Sequence, residues 1–148
     1  METKDTEMGK VRVEIEVINS TDDDIVQKGL IPANQVRRAT LSALVDTGAT
    51  ILVLPQDVIE RLGLPVLRRV RTRIASGEIL ACNVYGSAKL KVQGRIVGTD
   101  VLGGPPGVPA LLGQVPLELL DFVVDSKNGR LLPNPESPDP EMALVDIL

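Results

Sequence analysis

The chain has 148 residues, enough for one domain with a substantial core but few for two domains. Its formal net charge of −4 argues against a nucleic-acid partner, because the only basic cluster, within residues 68–73, has the spacing of a strand's solvent face. The absence of histidine and the single cysteine, Cys82, exclude Ser-His-Asp catalysis, the usual zinc sites and an internal disulfide, so carboxylates are the expected catalytic groups and no metal is predicted.

The amino-terminal segment METKDTEMGK is polar and lacks the apolar stretch of a secretion signal. No later stretch reaches the roughly 18 uncharged apolar residues that a membrane span requires. We therefore predict a cytoplasmic protein with no membrane partner, and a disordered segment over residues 1–10.

The first third of the chain predicts three strands and a loop. VRVEIEVI, residues 11–18, alternates apolar and charged residues with period two, which is typical of a half-buried strand. Residues 19–38 are polar and are broken by a glycine and a proline, so we predict a long loop with room for a short helical turn. Residues 39–45 predict a second strand that leads into Asp46-Thr47-Gly48, and apolar residues 51–54 follow.

The middle of the chain predicts one helix and two hairpins. PQDVIERLGLP, residues 55–65, has the proline start and the Gly-x-Pro end of a short helix. Two strand-like runs then meet at residues 75–78, where Ser-Gly is a hairpin signal. A further strand pair turns near Gln93-Gly94, and residues 103–109 form a loop rich in glycine and proline.

The last third adds a short apolar strand at residues 110–113, a helical turn, and a hairpin at Asn128-Gly129. Residues 133–148 are rich in proline and acidic residues, and we predict an extended or disordered tail in which MALVDIL is a candidate docking strand. The sequence thus predicts an all-β chain with one or two short helices and a folded domain over residues 11–132.

One carboxylate stands out because of its apolar surroundings. Asp46 follows Leu44-Val45 and precedes the apolar residues 51–54, so its turn is predicted to lie inside the core. An ionised carboxylate that is taken out of water without a partner is costly. Asp-Thr-Gly alone is an ordinary turn sequence, since Asp and Thr accept backbone hydrogen bonds and Gly tolerates positive φ. The alternatives are therefore a simple turn and a carboxylate whose burial serves chemistry.

The order of motifs favours the second alternative. Residues 44–49, Leu-Val-Asp-Thr-Gly-Ala, a flap-like hairpin with Gly77 at its tip, and Leu111-Leu112-Gly113 before a short helix together resemble the retropepsin-like aspartic proteases. This single-domain family includes the retroviral proteases and their bacterial relatives, and the resemblance covers residues 11–132. It implies a closed, barrel-like all-β fold, no cofactor, and a homodimer in which the second carboxylate is Asp46 of another copy.

The resemblance implies general acid–base catalysis by two Asp46 carboxylates. Two carboxylates within a few ångströms cannot both ionise easily, so the pair holds one proton over a wide pH range. One activates a water and the other donates to the carbonyl of a peptide substrate, as in an aspartic endopeptidase. Thr47 would brace the partner loop, and Gly48 would let the backbone approach the substrate. Ala49 replaces the hydroxyl residue of many two-lobed relatives, which predicts activity nearer to neutral pH, because no hydroxyl favours ionisation.

The resemblance also implies a flap and substrate pockets. Ala75, Ser76 and Gly77 at the hairpin tip would close over an extended peptide, although an ordinary surface hairpin explains the same sequence. The residues expected to line apolar pockets are Ile51, Val53 and Leu111. Two other functions stay open: a catalytically silent retropepsin-like domain that dimerises or binds peptides, and an unrelated small β-barrel that binds a ligand.

Overall fold

The computed structural model describes residues 10–147 and contains nine strands and three helices in that range. The strands are β1 (Arg12–Asn19), β2 (Arg38–Val45), β3 (Leu52–Leu54), β4 (Val66–Arg73), β5 (Ile79–Val92), β6 (Arg95–Gly103), β7 (Leu111–Leu112), β8 (Phe122–Asp125) and β9 (Arg130–Pro133). The helices are α1 (Ser20–Gln27), α2 (Gln56–Leu62) and α3 (Gln114–Leu120), and Ala33–Gln35 forms a 3-10 turn. The predicted disorder of residues 1–10 lies outside the described residues, except at Lys10. Within the described part of the chain, no helix is long and apolar enough to cross a membrane.

Six strands close into a barrel. They pair in the order β1-β2-β7-β3-β6-β5, and a pairing of β5 with β1 completes the ring. The 14 residues of β5 allow this closure, because its first half pairs with β4 and its second half pairs with β1. The prediction of an all-β, barrel-like fold with short helices and a hairpin is confirmed, with three helices where one or two were predicted.

Aliphatic side chains fill the barrel, as the period-two pattern predicts. In β1, Ile15 and Val17 are fully buried, whereas Glu14 is exposed and Glu16 is only partly buried. Complete burial of such a branched side chain stabilises a fold by roughly 1.5–3 kcal/mol. Among the described residues, the buried core cluster contains one aromatic residue, Tyr85.

Helix α1 occupies part of the region that was predicted to be a loop. Its N-cap is Asn19, whose side-chain oxygen accepts the Asp22 amide at 3.0 Å. Asp22 and Asp23 lie in the first turn, where the helix dipole favours negative charge. The Asp22 carboxylate also accepts from Arg37 Nε at 2.8 Å, which ties α1 to the start of β2. This helix has an N-cap and acidic residues in its first turn but no apolar stripe, so apolar periodicity did not predict it.

The tail, residues 134–147, contains no helix or strand, but Arg95 holds it against the barrel. The Arg95 side chain is only 2% exposed and lies at the start of β6. Its terminal nitrogens donate to five carbonyl oxygens at 2.7 to 3.1 Å, those of Leu120, Asp121, Ser137, Asp139 and Met142. One buried cation therefore anchors the tail at the end of α3. The candidate docking strand, MALVDIL, has no assigned strand from Met142 to Ile147, and Leu148 lies outside the described residues.

Candidate active site

Asp46 follows a strand whose neighbour comes from far along the chain. β7 inserts between β2 and β3, parallel to the first and antiparallel to the second. Leu44 lies opposite Leu111 in the register, and the Asp46 amide donates to the Leu112 carbonyl at 3.0 Å. The connection between β2 and β3 therefore starts on one side of β7 and ends on its other side.

The start of α3 holds the other side of this loop. The amides of Gln114 and Val115 donate to the carbonyls of Ala49 and Thr50, at 2.8 and 2.9 Å. Gly113 passes so close that a Cβ on it would stand 2.7 Å from the Ala49 carbonyl oxygen. Backbone contacts from residues 112–115 thus fix the position of the Asp46 loop.

The Asp46 carboxylate is half-buried and accepts a single hydrogen bond from the described residues. Its Oδ1 accepts the Gly48 amide at 2.9 Å, and no cationic side chain in residues 10–147 pairs with it. A Cβ on Gly48 would stand 3.1 Å from that oxygen, so a side chain there would crowd the carboxylate. Thr47 is exposed beside it, and Ala49 is partly buried. The prediction that this turn lies inside the core is wrong for the single chain, because Thr47, Gly48 and Thr50 are exposed. The loop presents an acidic group that its own backbone holds in place.

A row of aliphatic side chains begins on the strand that leads to Asp46. The register pairs Leu44 with Leu111, Leu111 with Val53, Val53 with Leu102, and Leu102 with Val84. Directly paired residues project to the same face of a sheet, so these five side chains share one face. None of the five belongs to the main core cluster, which lies on the opposite face. We call this row the apolar floor, and it leads from Asp46 toward the β4–β5 hairpin.

Two of the three predicted pocket residues, Val53 and Leu111, belong to the apolar floor. Ile51 lies instead at the end of the Asp46 loop and is partly buried. Sequence reasoning missed Leu44, Leu102 and Val84 as members of this face. Only the register between strands that are distant in sequence places these three residues on one face, and no local sequence pattern reveals that register.

The β4–β5 hairpin carries the predicted flap residues Ala75, Ser76 and Gly77, which are exposed at its tip. Gly77 has φ +92° and donates to the Ile74 carbonyl at 2.8 Å, so the turn uses the left-handed conformation that glycine adopts easily. No atom lies within 4 Å of the Cβ position of Gly77. The hairpin is confirmed, and its closure over a peptide stays a prediction.

The strongly paired charges lie away from the Asp46 loop. The side-chain hydrogen bond from Arg37 lowers the pKa of Asp22, and the one from Lys89 lowers the pKa of Asp23. Both pairs fasten α1 to the barrel. In residues 10–147, no group of three or more His, Cys, Asp or Glu side chains is arranged to hold a metal ion.

Comparison with known protein families identifies the same region. Residues 33–115 match a family described as aspartyl protease, and this range contains the Asp46 loop, the hairpin and β7. The match covers more than half of the chain. No curated protein matched the sequence. From the matched range and the closed barrel around it, the chain belongs to the aspartyl protease family, in its retropepsin-like form.

Proposed function

We propose that the protein is a homodimeric aspartic endopeptidase in which Asp46 of each copy forms one half of the catalytic site. The observation that carries this proposal is the half-buried Asp46 carboxylate, held by backbone contacts at the edge of an apolar floor. One chain supplies one acid and one floor, and a two-fold axis supplies a second of each. We assign the activity to the domain of residues 11–132.

The proposed reaction is the hydrolysis of a peptide bond by a water bound between the two carboxylates. The ionised carboxylate takes a proton from the water, while the protonated one donates its proton to the carbonyl oxygen of the substrate. The oxygen of the water bonds to the carbonyl carbon and forms a tetrahedral diol. Collapse of the diol re-forms a carbonyl and breaks the C–N bond. The carboxyl that took the proton of the water passes it to the leaving nitrogen, and the other carboxylate regains a proton from a diol hydroxyl, which restores the starting pair. Both groups needed for this sequence are copies of Asp46, so neither a metal nor a cofactor is part of the proposal.

Exposed apolar side chains on α3, which begins at the Asp46 loop, and on the following strand β8 support the dimer. Val115 and Leu119 project from α3 and are 42% and 49% exposed, and Val123 on β8 is 46% exposed. The first of these residues also holds the Asp46 loop through its amide. Contiguous exposed apolar surface often marks a protein interface. A second copy that covers this surface would bring the two Asp46 loops toward each other.

The apolar floor supports an extended peptide as the substrate. Leu44, Leu102 and Leu111 are partly exposed, whereas Val53 and Val84 are buried. The floor therefore presents aliphatic surface from three strands of the sheet rather than one deep pocket. A peptide in strand conformation projects alternate side chains to one face, and those side chains would contact the floor. The proposed flap, Ala75 to Gly77, would cover the peptide from the other side.

A catalytically silent domain that dimerises or binds peptides remains the second candidate function. The same floor and the same exposed α3 surface would serve it. Retention of an intact Asp-Thr-Gly loop argues for catalysis, because a scaffold gains nothing from two carboxylates brought close together. Turnover of peptides by the purified protein separates the two candidates.

A subunit-mixing experiment tests the proposed half-site. Wild-type protein is mixed with an equal amount of the Asp46→Asn variant, the subunits are allowed to exchange, and hydrolysis of a peptide library is compared with wild-type diluted equally in buffer. Random exchange places half of the wild-type chains in inactive heterodimers, so activity per wild-type chain falls to about one half. It approaches zero as the variant is added in excess, and Asp46→Asn alone is folded but inactive.

The control for mixing is a mass-tagged subunit that confirms exchange. Activity that is indifferent to the variant after confirmed exchange would mean that one chain holds a complete site. Full activity of Asp46→Asn alone would remove Asp46 from the reaction altogether.

A further inference from the structure

The β4–β5 hairpin carries a concentration of positive charge in an otherwise acidic protein. Residues 61–77 contain five arginines and no acidic residue, although the whole chain has a net charge of −4. Four of these arginines lie within β4, at positions 68, 69, 71 and 73, and all four are exposed. The hairpin is therefore a basic element on an acidic molecule.

Three of the arginines form a row on one face of β4. Arg69, Arg71 and Arg73 alternate with Val70 and Thr72, which are partly buried and face the other way. Residues two apart along a strand project to the same face at a spacing of about 7 Å. We call Arg69, Arg71 and Arg73 the arginine row. All three of its side chains are exposed.

Within residues 10–147, no carboxylate forms a salt bridge with the arginine row. Its cross-strand neighbours on β5 are Asn83, Ala81 and Ile79, none of which is acidic. Within residues 10–147, the row makes one side-chain hydrogen bond, from Arg69 Nη1 to Asn83 Oδ1 at 3.1 Å. By contrast, the cations that pair with carboxylates in residues 10–147 include Arg37, Arg38, Lys89, Arg95 and Arg130. Like charges in one row repel each other, and bound carboxylates would relieve this repulsion.

The strand that carries the row has an open edge. β4 is the last strand in its sheet and, within the described residues, pairs with β5 alone. The backbone amides and carbonyls on its other edge are therefore available to a further strand. An extended peptide can add to such an edge through main-chain hydrogen bonds, and its side chains then supply specificity.

We propose that the open edge of β4 is a docking site for an acidic, extended segment of a protein substrate, whose carboxylates at alternate positions pair with the arginine row. The charge and the two-residue repeat of the arginine row both favour this occupant. In an extended peptide, Asp or Glu at every second residue has the same spacing as the three arginines. The docking site is separate from the apolar floor and goes beyond the proposed hydrolysis. Only the identity of the occupant as a substrate rests on the proposed function, since the binding itself does not require catalysis.

A binding experiment with the inactive Asp46→Asn variant tests the docking site independently of turnover. The probe is a fluorescein-labelled peptide in which every second residue is glutamate and the residues between them are valine or threonine. The matched peptide has glutamine in place of each glutamate. Fluorescence anisotropy is recorded at low and at high salt. We expect the glutamate peptide to bind with an affinity that salt weakens, and the glutamine peptide to bind at least tenfold more weakly.

Two triple variants with the same loss of charge locate the site. The first replaces Arg69, Arg71 and Arg73 by glutamine. The second replaces Lys28, Lys91 and Lys127, which are exposed elsewhere on the protein, by glutamine. We expect about a tenfold loss of affinity in the first variant and little change in the second, with both melting like the parent. Equal losses would attribute binding to overall charge and overturn the proposal.

Other occupants are distinguished by further probes. Tighter binding of a single-stranded oligonucleotide than of the glutamate peptide would make the edge a nucleic-acid surface, and preference for a peptide of residues 134–147 would make it a contact with a second copy. Either result overturns the proposal. Failure of every probe to bind would also overturn it, and would leave the arginines as charges that keep an exposed strand edge from pairing.

A turnover experiment with the active protein then tests the substrate assignment. An apolar peptide substrate is compared with and without an acidic extension. We expect the extension to lower KM several-fold at unchanged kcat, and the first triple variant to abolish this advantage. If the acidic peptide binds the arginine row but no peptide is hydrolysed, the proposed function fails while the docking site stands. If both peptides are cleaved with the same KM, the segment is not part of a substrate.

Discussion

Gly113 lies directly against the backbone of Ile51 and Ala49: a Cβ at position 113 would clash with the Ile51 carbonyl oxygen and would stand 2.7 Å from the Ala49 carbonyl oxygen. The contact joins the loop that contains Asp46 to the start of α3. We predict that Gly113→Ala lowers the free energy of unfolding by about 3 kcal/mol, because backbone on both sides leaves no room for the methyl group. Urea denaturation measures the loss.

Gly98→Ala is the matched control, since no atom lies within 4 Å of its Cβ position. We expect it to change stability by less than about 0.5 kcal/mol. A Gly113→Ala protein as stable as the wild type would show that the Asp46 loop is not held by this close approach.

Ala49 provides a test of how the proposed carboxylate pair is tuned. Ala49→Ser introduces a hydroxyl three residues after Asp46 in the same loop, and a hydrogen bond from this hydroxyl to the ionised carboxylate would favour ionisation. We therefore expect the acid limb of the pH–rate profile to move to lower pH while the fold is retained. Thr50→Ser, one residue further along the same loop, should leave the profile unchanged. An identical profile in Ala49→Ser would overturn the predicted link between Ala49 and activity nearer to neutral pH.

The Asp22–Arg37 pair predicts a specific dependence of stability on pH. The side-chain hydrogen bond from Arg37 holds the pKa of Asp22 below 3.8 in the folded protein. The stabilisation is therefore present above about pH 4 and is lost as the pH falls through the lower native pKa. Asp22→Asn should cost about 2 kcal/mol at neutral pH, a modest figure because half of the Arg37 side chain is exposed.

Denaturation at several pH values checks this dependence. The difference in stability between the wild type and Asp22→Asn should shrink as the pH is lowered below about 4. Asp146→Asn, an exposed aspartate of the tail, should show no such difference at any pH. A gap that persists undiminished at low pH would mean that the asparagine acts through packing rather than through lost charge.

The hydrogen bonds from Arg95 to the tail predict that this one side chain controls the order of the tail. Arg95→Met removes the donors of five carbonyl oxygens, so we expect a loss of stability of about 3 kcal/mol and faster amide exchange around Ser137 and Met142. Hydrogen–deuterium exchange with mass spectrometry locates the change. Arg130→Met is the control, because that side chain is 60% exposed. Unchanged exchange of the tail in Arg95→Met would show that other contacts hold it.

Substitution of Gly77 distinguishes a working flap from an ordinary hairpin. Its φ of +92° is unfavourable for a β-branched residue, so Gly77→Val should cost roughly 1–2 kcal/mol of stability. We expect a larger effect on turnover, because the strained tip would no longer close properly over a peptide. Ala75→Val at the same tip, where φ is ordinary, is the control. Normal kcat and KM in folded Gly77→Val would mean that the hairpin does not act as a flap.

The parts of this fold that were predictable have local signals. Period-two alternation identified β1, and Ser-Gly and Gln-Gly located two of the hairpin turns. The resemblance around Asp46 then supplied the closed barrel. Helix α1 was underestimated because a cap at Asn19 and acidic residues in the first turn stabilise it, whereas the prediction relied on apolar periodicity.

The apolar floor and the role of Arg95 had no local signal. An arginine just after a Gln-Gly turn has the sequence pattern of an exposed strand residue, and only the carbonyls of a distant tail explain its burial. Likewise, Leu102 resembles any aliphatic strand residue until the register places it between Val53 and Val84. Long-range pairing decides both features, and composition or periodicity contains no information about it.

The insertion of β7 between β2 and β3 has a consequence for the order of folding. Leu44 and Leu111 are neighbours in the sheet but distant in sequence, so their contact closes a long loop and forms late. While a ribosome is still synthesising the segment before Gly113, the emerging polypeptide holds Asp46 without the backbone partners that position it. We therefore expect that the proposed hydrolysis cannot begin until most of the molecule has been made, so the end of synthesis would set the onset of the proposed activity.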